Sequence, residues 1–413
     1  MILEILSFSL FGILIGVFAG IIPGMHINVL LPLLLSFPLL IKIEPYYLVA
    51  LIVSAALTEI FVNFISSIFV GAPDSSTALS VLPGHKILLE GRGYEAIKLT
   101  VIGGIGALIL SLLVVSSLSP FFKILYDFSR PYMHWFLIGV TIFMLATEKK
   151  LKKIFSALLI FFLSGFLGII TLNSSLTFSN ILFPLLTGLF GLPTLLTSIF
   201  EKAQIPKQEE DEKLKISKKE IFKSIILGSI AGVIIGFLPA IGISEAAVIV
   251  QYLGGANDAR NFLITLSGIN VGNEVFSLIS LYLVNNPRSG TSVAIQKIFP
   301  SLNFYDVVLI IGVICFSSGL AAVLTLYLGK KIPKYLEKIN YTSLCISVII
   351  LILGMIFLLT GVLGLLIAFT STSIGLLCIN LGIRRSHCMG CLLLPSILFF
   401  SGTTPCILIL LKI

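Results

Sequence analysis

"GILIGVFAGIIPGMHINV" (residues 12–29) decides how the chain is read. Gly12, Gly16 and Gly20 recur four residues apart in an otherwise apolar run that stops at Pro23. Small residues at this spacing let helix backbones approach closely inside a membrane. The proline then removes a backbone donor and frees a carbonyl, which is tolerated only where the exposed backbone lines protein or water. His26 and Asn28 come at once after it.

The stretch has a partner. "GSIAGVIIGFLPAIGISE" (228–245) sets Gly228, Gly232, Gly236 and Pro239 at the same spacing, 216 residues on, with Gly242, Ser244 and Glu245 after them. A second pair comes in the same order: "APDSSTALSV" (72–81) matches "NPRSGTSVAI" (286–295) at an offset of 214. It aligns Pro73 with Pro287, Ser75 with Ser289 and Thr77 with Thr291. Two ordered motifs at nearly one offset predict an internal duplication.

The surrounding composition fixes the solvent. The chain has 413 residues, 57% of them hydrophobic and 11% charged, with a mean hydropathy of +1.12. This is a polytopic membrane protein. Apolar runs cover roughly 3–22, 25–41, 46–70, 99–119, 131–147, 154–173, 178–200, 222–239, 243–254, 261–284, 304–328, 341–362, 364–383 and 388–411, about fourteen in all. No basic residue precedes Lys42, so Met1–Ile22 reads as a first span rather than a signal peptide. The stretch "EKAQIPKQEEDEKLKISKKEIFK" (201–223) divides the chain into a first membrane repeat (1–200), a charged cytoplasmic linker (201–222) and a second membrane repeat (223–413).

Lys and Arg outnumber Asp and Glu 27 to 19, but they cluster between apolar runs. The pattern excludes nucleic-acid binding and points to loop orientation. The clusters are Lys86/Arg92/Lys98, Lys149–Lys153, Lys202–Lys223, Lys330–Lys338 and Arg384/Arg385. If all five face the cytoplasm, the loop after the first proline–hydroxyl motif is inside and its counterpart near Pro300 is outside. The expected fold is therefore all-α, with two inverted-topology repeats, broken helices and re-entrant hairpins, as in many secondary transporters.

Four polar elements are the candidate site. The breaks offer Pro23, Gly24, His26, Asn28, Pro239, Ser244 and Glu245. The hairpin tips offer Pro73, Asp74, Ser75, Ser76, Thr77, Arg288, Ser289, Gly290 and Thr291. Hydroxyls ahead of a short apolar stretch are N-cap chemistry, and a helix start presents free N–H groups to an anion. Arg288 can grip a carboxylate in a fork, Asp74 stands opposite it in the other copy, and an Arg–Asp bridge between repeats is the structural alternative. The spans before the tips carry Glu59 and Asn63 in "LTEIFVNF", and Asn270, Asn273 and Glu274 in "GINVGNEVF". Ionisable groups inside a span are candidates for coupling a cation, Na⁺ or H⁺. The chain needs no other cofactor on this reading.

The remaining motifs are weaker. "HCMGC" (387–391) has one CxxC spacing but no second pair, so it is a poor metal signal, and the six cysteines form no disulfide framework. His134 and Trp135 look interfacial, and His85 looks solvated in a basic loop.

Four stretches together resemble a known family. "GVFAGIIPGMHINVLLPLLLSF" (16–37), "SSIFVGAPDSSTALSVLPGHKILLEGRG" (66–93), "GFLGIITLNSSLTFSNILFPLLTGLFGLPTLL" (165–196) and "NNPRSGTSVAIQK" (285–297) are similar, in order, to signatures of the large permease subunit of tripartite tricarboxylate transporters, the TctA family. The short chain is most similar to archaeal-type members. The resemblance implies an integral permease of the cell membrane for carboxylate uptake, driven by an ion gradient. In bacteria it implies a small membrane subunit and an extracytoplasmic solute-binding protein as partners. Met25 and His26 replace the family's usual Leu-Gly, and "VLPGHK" replaces its Asp-Gly-Tyr-Pro.

The reading these features favour is ion-coupled transport of an anionic, carboxylate-type molecule by alternating access. The same cradle also fits a phosphate-bearing lipid carrier such as a polyprenyl phosphate, with His26 and Arg288 at the head group. An intramembrane enzyme using His26, Asp74 and Glu274 lacks paired aspartates, HExxH or Gly-x-Ser-x-Gly. A scaffold gains nothing from disrupted helices.

Overall fold

The computed structural model describes residues 2–22, 27, 30–31, 34–35, 43–71, 77–118, 130–148, 150–174, 178–200, 206–209, 213–237, 242–253, 258–285, 287, 289–336 and 341–404. Among them every regular element is helical. Eight of the described helices are long and apolar enough to cross a membrane.

The sequence marks fourteen runs, and the difference has local causes. The runs at 131–147 and 243–254 become helices Met133–Ala146 and Ile243–Leu253, of 14 and 11 residues. At 1.5 Å per residue these are too short to span ~30 Å of hydrocarbon. The runs at 341–362 and 364–383 join as one 40-residue element, Tyr341–Asn380, kinked at Gly361. Its φ of 64° and ψ of −155° are open only to glycine. Lys218–Phe237 opens with Lys218, Lys219, Glu220 and Lys223, four charges within its first six residues. The run at 25–41 lies largely outside the described residues.

Packing explains the glycines. Helix α1 (Ile2–Ile21) lies on α2 (Pro45–Ile65). A Cβ on Gly12 would stand 2.3 Å from the Leu51 carbonyl oxygen, one on Gly16 2.5 Å from that of Ala55, and one on Gly20 2.8 Å from Val62 Cβ. Two later helices, α9 (Lys218–Phe237) and α11 (Ala259–Val284), pack the same way. There a Cβ on Gly228 would stand 2.6 Å from the Thr265 carbonyl oxygen, one on Gly232 2.8 Å from that of Ile269, and one on Gly236 2.8 Å from Phe276 Cβ. Leu51 and Thr265, Ala55 and Ile269, Val62 and Phe276 are each 214 residues apart.

The contacts between the two ends of the chain are reciprocal. Helix α4 (Gly93–Leu118) packs on α11, while α13 (Phe304–Leu336) packs on α2. The nine-residue helix α3 (Val81–Leu89) touches α11, and the nine-residue helix α12 (Gly290–Ile298) touches α2. Ala294 and Ile298 of α12 share an apolar cluster with Leu48, Leu51, Ile52 and Ala55. At the centre α2 and α11 also meet each other.

Enclosure separates these two helices from the outer ones. The spans Pro45–Val70 and Ala259–Leu283 are 100% and 94% buried over their most apolar windows, against 28% for α1 and 22% for Cys345–Asn380. The outer helices instead expose Ile2, Leu3, Phe155, Leu358 and other large apolar residues. That is an outer face suited to lipid and costly in water.

Charges join the halves at one end. Glu95, at the start of α4, accepts from Arg92 at 2.6 Å and from Arg260 of α11 at 3.1 Å. Arg260 also bonds Glu90 at 2.9 Å. The described part of the charged linker is held against this cluster: Arg92 pairs with Glu209, the Lys215 amide donates to Glu95, and the Gly93 amide donates to the buried Gln208 side chain at 2.8 Å. Burial opposes the Arg92 charge, but the hydrogen bond and field of Glu95 with those of Glu209 outweigh it and raise its pKa above the usual arginine value.

Close helix contact makes a direct prediction. A Cβ on Gly103 of α4 would lie 2.2 Å from the Ile264 carbonyl oxygen, whereas one on Gly139 has no heavy atom within 4 Å. Gly103→Val should cost about 3 kcal/mol or more through overpacking, and Gly139→Ala should leave stability equal or slightly raised. Thermal unfolding of the detergent-solubilised protein measures both.

Candidate functional site

The polar residues gather on the two enclosed helices and on the turns that succeed them. On α2, Glu59 is 2% exposed and accepts from Asn63 Nδ2 at 3.1 Å. The chain of bonds continues through Ser66, whose hydroxyl lies 3.2 Å from Asn63 Oδ1 and 3.1 Å from the Gly20 carbonyl. That carbonyl is in the last turn of α1, where helical carbonyls have no partner of their own. Ser66 thus ties a buried acid to the helix end that precedes Pro23.

After Ile65 the helix widens into a π turn, Ser66–Val70, ended by Gly71 at φ 72°. Single π turns are frequent at functional sites. Ser67 on this turn bonds Ser80 Oγ at 2.7 Å and the Thr77 carbonyl at 3.3 Å. The Ser80 hydroxyl and amide also donate to the Thr77 carbonyl, at 2.7 and 2.8 Å. The short 3-10 turn Ala78–Ser80 is touched by this π turn, by a second one at Thr187–Gly191, by α11 and by α10 (Ile243–Leu253). Thr77 and Ser244 are both buried there.

On α11, Glu274 is 6% exposed and accepts from Ser289 Oγ at 3.4 Å. Ser289 is the N-cap of α12: its hydroxyl accepts from the Ser292 amide at 3.1 Å, and the Ser292 hydroxyl accepts from the Ser289 amide at 2.9 Å. This reciprocal capping satisfies two backbone donors at the start of the helix. Ser277 Oγ of α11 lies 3.3 Å from Ser292 Oγ. An acid beside a helix N-terminus is also stabilised by its partial positive charge.

Several sequence candidates lie outside the described residues: Pro23, Gly24, His26, Asn28, Pro73, Asp74, Ser75, Ser76, Pro239 and Arg288, with the Glu245 side chain. Among the described ones, Glu274 and Ser289 are brought together, as are Glu59 and Asn63. Gly290 and Thr291 open α12, and Thr291 is buried. Asn270 is buried and donates to the Leu266 carbonyl at 3.0 Å, while Asn273 turns its backbone to Gly232 and Gly236.

His85 corrects its expected place in a solvated loop. It is 3% exposed, and Nδ1 lies 3.0 Å from the Ile68 carbonyl. His387 of "HCMGC" is fully buried with Nε2 3.2 Å from Glu148, a pairing invisible in the motif. Ser66, Ser67 and Ser80 carried no sequence signal beyond their place beside the proline motif. Their role depends on the π turn.

Among the described residues every regular element is helical, eight helices are able to cross a membrane, and the acids Glu59 and Glu274 lie on two that other helices enclose, which makes this a multi-pass membrane protein. The chain belongs to the tripartite tricarboxylate transporter TctA family, whose model matches residues 6–390. It is thus a membrane permease of the tricarboxylate-transporter type, from a family of transporters that work in tripartite systems. It is 30% identical over 412 residues to uncharacterized protein MJ1079 of Methanocaldococcus jannaschii, covering 96% of this chain and 98% of that one. No solved structure matches it.

The Ser289 cap can be tested on its own. Ser289→Ala should cost about 1 kcal/mol of stability, and Ser289→Thr should recover most of it. An unchanged unfolding midpoint for the alanine variant would mean that the cap adds nothing to the fold.

Proposed function

We propose that the chain is an ion-coupled secondary transporter that moves a carboxylate by alternating access between two inverted repeats. The observation that carries this reading is the double recurrence. Glycine contacts on α2 and α11 repeat at one offset, and α4 and α3 pack on α11 as α13 and α12 pack on α2. A contact of i with j matched by j with i is what a two-fold axis between copies produces. With the positive-inside rule applied to the basic clusters, that axis lies in the membrane plane.

In this reading the breaks at Pro23 and Pro239 and the tips at Pro73 and Pro287 face one midplane site. Arg288 with Ser75, Ser76, Thr77, Ser289, Gly290 and Thr291 holds the anion, and His26, Asn28, Asp74 and Ser244 shape its selectivity. Glu59, Asn63, Glu245, Asn270, Asn273 and Glu274 serve the coupling cation, Na⁺ or H⁺. The buried acids Glu59, bonded to Asn63, and Glu274, bonded to Ser289, support the assignment, because a cation lowers the cost of holding a carboxylate away from water. A small membrane subunit and an extracytoplasmic solute-binding protein are the partners this role calls for.

Citrate uptake into proteoliposomes under separate Na⁺ and proton gradients tests the function. One gradient should drive accumulation, and Glu274→Gln should abolish the gradient-driven part. Uptake indifferent to both gradients would refute coupling, and competition by a polyprenyl phosphate alone would move the cargo to a lipid carrier. Topology has its own test in a background without the six native cysteines. The exposed positions Lys86 and Ser301, changed one at a time to cysteine, should be labelled by a membrane-impermeant reagent from opposite sides. Labelling from the same side sinks the inversion.

A further inference from the structure

Arg385 opens the 3-10 turn Arg385–Met389 and is half-buried. Its Nη1 donates to the Phe190 carbonyl at 2.9 Å and to Thr194 Oγ1. Both acceptors are neutral, and Phe190 lies in the second π turn. Among the described residues no carboxylate pairs with Arg385, and Nη1 is its one engaged donor group. Arg92 and Arg260, by contrast, are each held by two carboxylates. The acid across from the same turn, Glu148, is taken by His387 and by the Arg384 amide.

Its position is as informative as its charge. The turn 385–389 touches α10, which comes after the Pro239 break, and α10 touches the turn Ala78–Ser80, which comes after the Pro73 motif. That turn in turn touches the π turn 187–191, which supplies the Phe190 acceptor. These contacts join the four elements in a closed circuit in which the Arg385–Phe190 bond is one of the links. By sequence, Arg385 counted only as part of a basic loop.

A guanidinium drawn partly out of water without an anion is costly, and its planar fork matches a carboxylate. We propose that Arg385 binds a carboxylate of the transported anion through its Nε and Nη2 edge, as a specificity-determining residue supplied from beyond both proline motifs. The assignment rests on the carboxylate-transport reading above. A substrate with two or three carboxylates could then use a cationic anchor in addition to the one proposed at Arg288.

The test uses the full chain in proteoliposomes with citrate as probe. Arg385→Gln should raise the apparent KM for citrate about tenfold or more, the loss expected for a charge-assisted hydrogen bond, with Vmax little changed. Arg385→Lys should recover part of the affinity, because it restores charge without the fork. Loss of the bonds to Phe190 and Thr194 lowers the ligand-free unfolding temperature modestly, while citrate should stabilise the wild type more than the glutamine variant, each measured from its own ligand-free value. An unchanged KM in Arg385→Gln, or a fall in Vmax and unfolding temperature at constant KM, overturns the assignment and makes the residue structural. A wild-type protein that neither transports citrate nor is stabilised by it overturns the carboxylate reading and this one with it.

Discussion

Close backbone contact at the glycine stripes is the constraint on which the rest depends. In a bilayer, helices gain nothing by exchanging lipid for other apolar side chains, so association rests on packing and on interhelical hydrogen bonds. Gly12, Gly16 and Gly20, like Gly228, Gly232 and Gly236, bring one backbone against the next where any side chain would collide. The contact fits α1 and α9 closely against α2 and α11. With α4 and α13 packed across the other half, both central helices are withdrawn from lipid.

That withdrawal makes buried polarity tolerable. Glu59, Asn63, Glu274 and the serines around them would be prohibitive on a lipid face, yet here each has a partner within the protein. The partners are often backbone groups left over where helices stop or widen. Ser66 takes a carbonyl at the end of α1, Ser289 and Ser292 cap α12, and Arg385 takes the Phe190 carbonyl in a π turn. Irregular backbone at depth thus supplies hydrogen-bonding groups that regular helix would consume internally. The proposed transport site uses the same resource.

Alternating access, as proposed, depends on how the halves meet. Each half's short helix rests on the other half's enclosed helix, so a shift of one half against the other must carry a capped helix start and its neighbouring acid together. The Arg92–Glu95–Arg260 cluster ties both halves and the linker at one end. An element that links anion site, cation site and interface is what coupling requires.

By itself the sequence determined the membrane class, the family and the paired motifs. Those rest on hydropathy, proline and spacing, which act locally along the chain. It also marked Glu59 and Glu274, because an acid in an apolar run stands out whatever surrounds it. Only the tertiary structure decided which helices lipid touches, since α1 and α2 are about equally apolar in sequence and differ in what encloses them. Tertiary packing likewise decided that two π turns widen the chain beside Ser80 and that His85 is buried. Arg385 is the plainest case. Two adjacent arginines at a span's end read as a cytoplasmic loop, and only the meeting of residues 190, 194 and 385 turned one of them inward. Charge patterning reports composition near a span, while the partner of a given guanidinium depends on contacts between residues nearly two hundred positions apart.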